Sequence, residues 1–427
     1  MSDGSALLLS IPASSPEELA LIDNIGPERV AWRASASLTF RGAVMHFSLT
    51  DEQAAIQETA LAFARERIAP KASEWDEKSH FPVDVIRETA ALGMAAIYVD
   101  AEKGGSGLSR LDGALIFEAL AYGCPAISSY ISIHNMVAWM LGKYGTTDQI
   151  GAWMPKLASM DWLASYCLTE PGAGSDAAAL RTTARRDGDS YVLDGTKQFI
   201  SGAGATDFYF LFARTGQDGP GGISAFVILK DTPGLSFGPN EKKMGWNAQP
   251  TRQVILDGCR IPASHLVGGV EGQGFKFAMS GLDGGRVNIG ACSLGAAWAA
   301  LDKARGYVHE RKAFGAELAS FQAVQFKLAD MATDLEAGRL MIYRAADALD
   351  RADPQATMYS AMAKRYATDI GFNVCNEALQ LHGGYGYLKD YGLEKLVRDL
   401  RVHQILEGTN EIMRVVVSRK LLAGNRA

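Results

Sequence analysis

The chain has 427 residues, 48% of them hydrophobic and 21% charged, with a mean hydropathy near zero. That is the composition of an ordinary globular protein, long enough for two or three domains with substantial cores. A formal charge of -6 and a pI near 5.7 speak against nucleic acid as a partner, because phosphate binding needs a basic footprint. Five dispersed cysteines without a C-x-x-C pair fit buried thiols in a reducing compartment, not disulfides or zinc. The histidines show no H-x-x-x-H spacing and no apolar run approaches membrane-spanning length, so neither a metal nor a membrane is expected.

Residues 1–44 differ in character from the remainder of the chain. Leu7-Leu8-Leu9 is too short for a secretory core, and Glu17, Glu18, Asp23 and Glu28 are wrong for an acid-poor transit peptide. The expectation is a poorly ordered extension, with a start codon assigned upstream of Met45 as its origin. Thr50-x-x-Gln53 then makes a capping box, and Ile56, Ala60, Phe63, Ala64 and Ile68 follow at helical spacing to an end at Pro70. Pro82 and Gly93 bracket a second helix, and Ser109-x-x-Asp112 opens a third that runs to Gly123. An apolar segment from Ala126 to Leu141 and a further helix from Asp148 to Leu157 complete an all-α domain over residues 45–160.

At Trp162 the period changes. Short β-forming runs (Tyr191 to Leu193, Phe208 to Phe212, Ile223 to Leu229, Arg252 to Leu256) alternate with hairpin signals at Asp187-Gly188, Asp194-Gly195 and Asp257-Gly258. They predict an antiparallel β-barrel or sandwich over residues 161–273. From Gly274 the helical period returns. Val287, Leu294, Trp298, Leu301 and Val308 line one long helix, Phe321 to Leu349 makes a second and Thr357 to Leu381 a third. Brief loops between them predict a four-helix bundle over residues 274–427. The fold class is α+β multidomain: helices, an inserted β domain, a helical bundle.

Three glycine clusters invite a nucleotide reading. Ser201-Gly202-Ala203-Gly204-Ala205 feeds a strand, whereas a dinucleotide-binding turn must feed a helix to aim its dipole at phosphate, which excludes a Rossmann site. Glu170-Pro171-Gly172-Ala173-Gly174-Ser175-Asp176 offers free N–H groups and the hydroxyls of Thr169 and Ser175 to a flat, polar-edged ring, though alone it is explained as a surface turn. Gln380 to Tyr387 ends a helix, where glycine serves as a C-cap. Arg311 sits at a helix end, where the dipole favours a cation; Arg286 is read at a helix start, where a cation is disfavoured and a specific partner is therefore expected. Near the C-terminus, Thr409 can cap a helix beginning at Asn410, with Glu411 in its first turn. Glu407 is left outside that helix on a turn beside Gly408, so both glutamates decorate a helix start unless the rest of the chain builds a site around Glu407.

Tyr166 to Asp176, Gly195 to Gly202, Arg311 to Gly315, Gln380 to Gly384 and Leu406 to Glu411, in this order, resemble the successive signatures of the acyl-CoA dehydrogenase family, and the match runs from Phe47 to about Leu422. Gly245 to Arg252, Cys292 to Ala297 and Tyr385 to Tyr391 resemble the branch of the family that acts on isobutyryl-CoA in valine breakdown. The resemblance implies FAD between β domain and bundle, in a homotetramer. It places Tyr166, Leu168, Thr169, Gly174, Ser175, Phe199, Ile200 and Ser201 along the flavin, with Thr409, Asn410 and Glu411 touching it from the helix start. Arg311, Phe314, Gln322, Gln380, Gly383 and Gly384 would reach the pyrophosphate and adenosine, from a neighbouring subunit. Ser175, Asp283, Gly284, Gly285, Arg286, Gly408 and Arg419 would contact the acyl-CoA. Many relatives carry tryptophan where this chain has Phe199.

The implied reaction is α,β-dehydrogenation of a short branched acyl-CoA, isobutyryl-CoA to methacrylyl-CoA, with electron-transfer flavoprotein as acceptor. Glu407 would take the α-proton, its pKa lifted by burial from ~4.3 toward ~6–7, with Arg286 as charge partner. Some relatives carry the base on the helix near Arg286, but here those positions are Gly284 and Gly285. The alternatives are 2-methylbutyryl-CoA or straight short-chain acyl-CoA as substrate, an oxidase, and a non-catalytic assembly or DNA-associated relative. The bacterial cytoplasm is the expected location, the mitochondrial matrix the alternative.

Overall fold

The computed structural model describes residues 48–423, so the extension expected over residues 1–44 lies outside the described residues. Thr50 caps α1 (Asp51–Phe63) with both halves of the capping box formed. The chain does not stop at Pro70 as its proline suggests. A π-helical turn over Ala64–Ile68 and a 3-10 turn over Ala69–Lys71 carry it on into α2 (Ala72–Lys78). Pro70 falls in the first turn of the 3-10 segment, where its missing N–H breaks no bond. After α3 (Val83–Glu88), Gly93 ends the segment in the left-handed conformation. The remaining N-terminal helices are α4 (Arg110–Gly123), α5 (Pro125–Tyr144) and α6 (Thr147–Ala158), with capping boxes from Ser109 for α4 and Thr146 for α6.

The middle of the chain is one seven-stranded curled sheet: β1 (Ala164–Cys167), β2 (Thr183–Asp187), β3 (Ser190–Ser201), β4 (Phe208–Arg214), β5 (Ile223–Leu229), β6 (Leu235–Phe237) and β7 (Thr251–Pro262). The strand order is β1-β4-β2-β3-β7-β6, with β5 on the other side of β4. Most pairs are antiparallel, but β1 runs parallel to β4 and β2 meets β4 in parallel, because β2 and β3 return the chain to the end at which β1 began. Only one of the three Asp-Gly pairs, Asp187-Gly188, is a hairpin turn. The other two, Asp194-Gly195 and Asp257-Gly258, face each other across β3 and β7 at a register shift, where Asp194 Oδ1 accepts the Gly258 N–H (2.7 Å). A two-residue turn signal has become a bulge that curls a long strand pair.

The C-terminal helices are α7 (Gly274–Glu310), then, after a small hairpin of β8 (Lys312–Ala313) and β9 (Ala316–Glu317), α8 (Gln322–Asp350), α9 (Ala356–His382), α10 (Leu393–Arg401) and α11 (Asn410–Ala423). Helix α7 is the spine. Val287, Leu294, Leu301 and Val308 are buried along it, and it packs on α9 on one side and on α4 and α5 on the other. One apolar core therefore runs continuously from the N-terminal helices into the bundle, through Phe117, Leu120, Ile289, Leu294 and Ile342. A second core joins α5 and α6 to one sheet face through Met140, Trp153, Phe208 and Phe210, and a third lies inside the sheet around Tyr191, Leu211, Ile228 and Val254. No helix among the described residues is long and apolar enough to cross a membrane, and all five cysteines are free and buried.

Two buried polar clusters lie within this framework, one inside the sheet region and one between it and α10. Lys197 on β3, wholly inaccessible, pairs with Glu170 in the loop after β1 (2.7 Å), and Glu170 also accepts the N–H groups of Arg181 (2.6 Å) and Thr182 (2.9 Å). Burial acts to raise the Glu170 carboxyl, but Lys197 and these donors outweigh it and hold the group below its ordinary value. The second cluster is Asp399 on α10, which takes Lys395 (2.6 Å) and the backbone N–H of Trp246 (2.5 Å). Breaking a buried pair from one side strands the other charge, so Lys197→Met is expected to cost about 3–5 kcal/mol in urea unfolding, and the double substitution Lys197→Met/Glu170→Gln to recover most of that loss.

Candidate functional site

The stretch before α11 is held from both sides. The Trp246 indole N–H donates to His403 Nε2 (3.1 Å), which leaves Nδ1 as the protonated nitrogen, and Nδ1 meets Ser293 Oγ on α7 (2.7 Å). Burial, with the nearby Lys364 charge, pushes His403 down to about 3, so the ring is neutral and works as a strut. After Leu406 the chain turns sharply, with Glu407 at φ 54 and Gly408 at φ 91. A glutamate in the left-handed region is uncommon and costs on the order of 1 kcal/mol. Thr409 Oγ1 accepts the Ile412 N–H (3.2 Å) and caps α11 as expected.

The turn drives the Glu407 carboxyl inward onto α7. A Cβ at Gly285 would lie 2.3 Å from its Oε2, and Oε2 is shut off from solvent without a hydrogen-bond partner. Burial lifts the carboxyl to about 7, against the attraction of Lys364 and, second, of Arg286. Lys364 thus adds to Arg286, the expected charge partner, and outweighs it. Arg286 Nη1 pairs with Asp283 (2.5 Å), and its Nε reaches only the backbone carbonyl of Glu407 (3.4 Å). Nor does Arg286 stand at a helix start: α7 begins well upstream at Gly274. Asp283, held also by the Thr357 hydroxyl (2.6 Å), spends the cation's charge, and Glu407 keeps a raised pKa because it is only partly compensated.

Lys364 on α9 carries no local signal of a site in the sequence, where it reads as one more bundle cation. It is fully buried and donates to the Gly408 carbonyl (2.9 Å) and to Asn410 Oδ1 (2.9 Å), and burial brings it down to about 8. The Asn410 amide donates in turn to Thr368 (2.9 Å) and Asp369 (2.7 Å). Its side chain thus braces the turn.

Across from Glu407 lies the end of β1. Tyr166 Oη is buried without a partner, and burial and then the Glu407 charge push the phenol up. The Thr169 carbonyl accepts the Gln198 N–H (2.8 Å), which joins the Tyr166–Ser175 loop to the end of β3. There a register shift between Lys197 and Ile200 puts Phe199 at φ 58 with its ring 64% exposed, while Ile200 packs inward. Ser201 Oγ takes the Gln249 amide (3.4 Å). Leu168 is buried, and Gly174 and Ser175 lie open on the loop.

The structure thus brings Tyr166, Leu168, Thr169, Phe199 and Ser201 together on one side, and Asp283 to Arg286, Glu407 and Gly408 on the other. Arg311, Gln380, Gly383 and Gly384 share a different hollow of about 370 Å³ with Tyr307 and Tyr385. Phe314, at φ 52 in the β8–β9 turn and 98% exposed, and exposed Gln322 stand on the surface, outside the residues lining that hollow. Glu411 is solvent-facing, and Arg419 is exposed on α11.

Models of the acyl-CoA dehydrogenase N-terminal, middle and C-terminal domains match residues 50–161, 165–259 and 272–422. The chain is 54% identical over 374 residues to mitochondrial isobutyryl-CoA dehydrogenase of Bos taurus, covering 88% of this chain and 90% of that protein. Butyryl-CoA dehydrogenase of Megasphaera elsdenii superposes with a TM-score of 0.86 at 38% identity, over 88% of this chain and 100% of its own. A chain from work on the electron-transferring flavoprotein of Acidaminococcus fermentans and flavin-based electron bifurcation does so with a TM-score of 0.86 at 39% identity, with the same coverage.

The chain belongs to the acyl-CoA dehydrogenase family and is an acyl-CoA dehydrogenase, a family of FAD-dependent flavoproteins. Its residues fit a flavin: an exposed Phe199 at the end of β3, a Tyr166 Oη without a partner at the end of β1, and the unpartnered Glu407 carboxyl whose charge acts on that phenol. A carboxyl whose folded pKa is raised favours folding below its unfolded value near 4.5 and loses that advantage as pH rises through about 7. Glu407→Gln is therefore expected to match the parent's stability near pH 4.5 and to exceed it by on the order of 2–3 kcal/mol at pH 8, read from paired denaturant titrations.

Proposed function

We propose that this acyl-CoA dehydrogenase converts isobutyryl-CoA to methacrylyl-CoA, with Glu407 as the base that removes the α-proton. The observation that carries the reading is the Glu407 carboxyl: inside the protein, one oxygen without a partner, pKa about 7, above a helix stripped of side chains at Gly284 and Gly285. A base poised near working pH is ionised often enough to act and basic enough to take a carbon-bound proton. Bound FAD supplies the acceptor for the β-hydride. The chain's own work is to hold the carboxylate at the α-carbon, exclude water, and offer the Glu407 backbone N–H, free of any backbone or side-chain acceptor among the described residues, to the charge that grows on the thioester oxygen.

Tyr166, Thr169, Phe199 and Ser201 are assigned to the flavin ring, and Ser175, Asp283, Arg286 and Arg419 to the acyl-CoA. The hollow at Arg311, Gln380, Gly383 and Gly384 does not include Glu407, which supports its serving the cofactor of another subunit in a homotetramer. The neighbour from Acidaminococcus fermentans supports electron-transferring flavoprotein as acceptor. The bacterial cytoplasm remains the assigned location, with the mitochondrial matrix as the alternative that the cattle relative's name favours.

One methylene changes apolar recognition by ~1–3 kcal/mol, so kcat/KM for isobutyryl-CoA is expected to exceed that for butyryl- and 2-methylbutyryl-CoA by about tenfold or more. Preference for either of those two would reassign the substrate. Glu407→Gln should retain FAD and bind acyl-CoA while losing about 10²–10⁴ in the rate of flavin bleaching. In the parent enzyme kcat/KM should rise with pH and level off above about 7.

A further inference from the structure

Beside the Glu407 carboxyl, four segments converge on α7 around one buried cation. Arg110, at the start of α4, is 8% exposed, and no carboxylate lies within ion-pairing distance of its guanidinium among the described residues. Asp350, a carboxylate whose charge acts on it, is occupied by the backbone N–H groups of Arg110 (2.8 Å) and Leu111 (3.4 Å). The guanidinium lies instead over two rings, Tyr98 at 3.8 Å and Trp139 of α5 at 4.3 Å. Tyr98 is itself pinned to α7, its Oη accepting the Asn288 amide (2.9 Å). An unpaired buried charge is expensive, and two aromatic faces recover part of that cost while holding the planar group rigid.

The position of this stack matters because of two successive glycines. A Cβ at Gly284 would meet Arg110 Nη1 at 2.5 Å, and one at Gly285 would meet Glu407 Oε2 at 2.3 Å. The guanidinium and the carboxyl therefore occupy adjacent notches of the same helix without pairing with each other. Tyr98 senses both: burial raises its phenol, Arg110 lowers it, and Glu407 raises it again. The Arg110 notch is thus the next one along α7 from the notch that holds the proposed base.

We infer that Arg110, clamped on Tyr98 and Trp139 against Gly284, is the wall that ends the acyl cleft and restricts the enzyme to short acyl chains. A flexible aliphatic side chain at this place could swing aside for a longer substrate. A guanidinium held over two rings cannot do so without exposing its charge to apolar surroundings. The wall is a specificity determinant and not a participant in proton transfer. The inference rests on Glu407 as the base, since that fixes which end of the cleft receives the thioester.

The test compares isobutyryl-, butyryl-, hexanoyl- and octanoyl-CoA across the parent enzyme, Arg110→Ala, Arg110→Met and Trp139→Leu, each as FAD-loaded enzyme. Arg110→Ala should raise the hexanoyl-to-isobutyryl ratio of kcat/KM at least about tenfold, the scale of one or two methylenes newly accommodated. Arg110→Met, which keeps the length and loses the charge, should raise it less, and Trp139→Leu, which loosens the clamp, should also raise it less and serves if Arg110→Ala does not fold. Hexanoyl-CoA binding measured by calorimetry in a Glu407→Gln background should tighten with Arg110→Ala in parallel, without turnover. An unchanged ratio in folded Arg110→Ala, or in Trp139→Leu if that variant alone folds, overturns the wall. So does an unchanged ratio in folded Arg110→Met, because an unclamped aliphatic side chain of that length should swing aside for the longer substrate. Inactivity of the parent toward all four substrates would instead overturn the assigned reaction.

Discussion

The structure depends on keeping one carboxyl out of water without fully neutralising it. Two cations act on Glu407, a third occupies the next notch of α7, and each is engaged elsewhere. Arg286 is taken by Asp283 and touches only a carbonyl, Lys364 is taken by Gly408 and Asn410, and Arg110 is taken by two aromatic rings. Had any of them closed directly on the carboxylate, the pair would have been stronger and the base weaker. The positive field they leave behind is enough to permit ionisation near neutrality, and the burial they share keeps it from becoming easy.

That arrangement requires rigidity in the turn that carries the carboxyl. A left-handed glutamate persists only where its surroundings over-determine it. Here the His403 strut fastens the turn to Trp246 and Ser293 on one side, and Lys364 with Asn410 fastens it to α9 on the other. The same segment therefore ties the end of the sheet region to the bundle. Fold stability and placement of the Glu407 carboxyl rest on shared contacts.

Much of this was legible in the residues and some was not. Capping boxes at Thr50, Ser109 and Thr146, and the change of period at Trp162, announce the elements because they are local devices. The Asp-Gly pairs at 194 and 257 mislead because bulge and turn use the same residue chemistry, and only the partner strand decides between them. Arg286 misleads for a related reason. The glycines that precede it look like a helix start, whereas they are notches in a helix already under way. Lys364 and Arg110 are invisible as site residues, since burial of a lone cation is a tertiary fact with no local signal. Glu407 is the opposite case: its neighbour Gly408 and the cap at Thr409 mark a turn, and the family resemblance marks the role.

The notch at Gly285 limits how this site can change. Oε2 of Glu407 lies where a Cβ at 285 would go, so a side chain added there would have to push the carboxyl out of its notch. Under the role proposed for Glu407, a second carboxyl on α7 would therefore disturb the first before it could replace it.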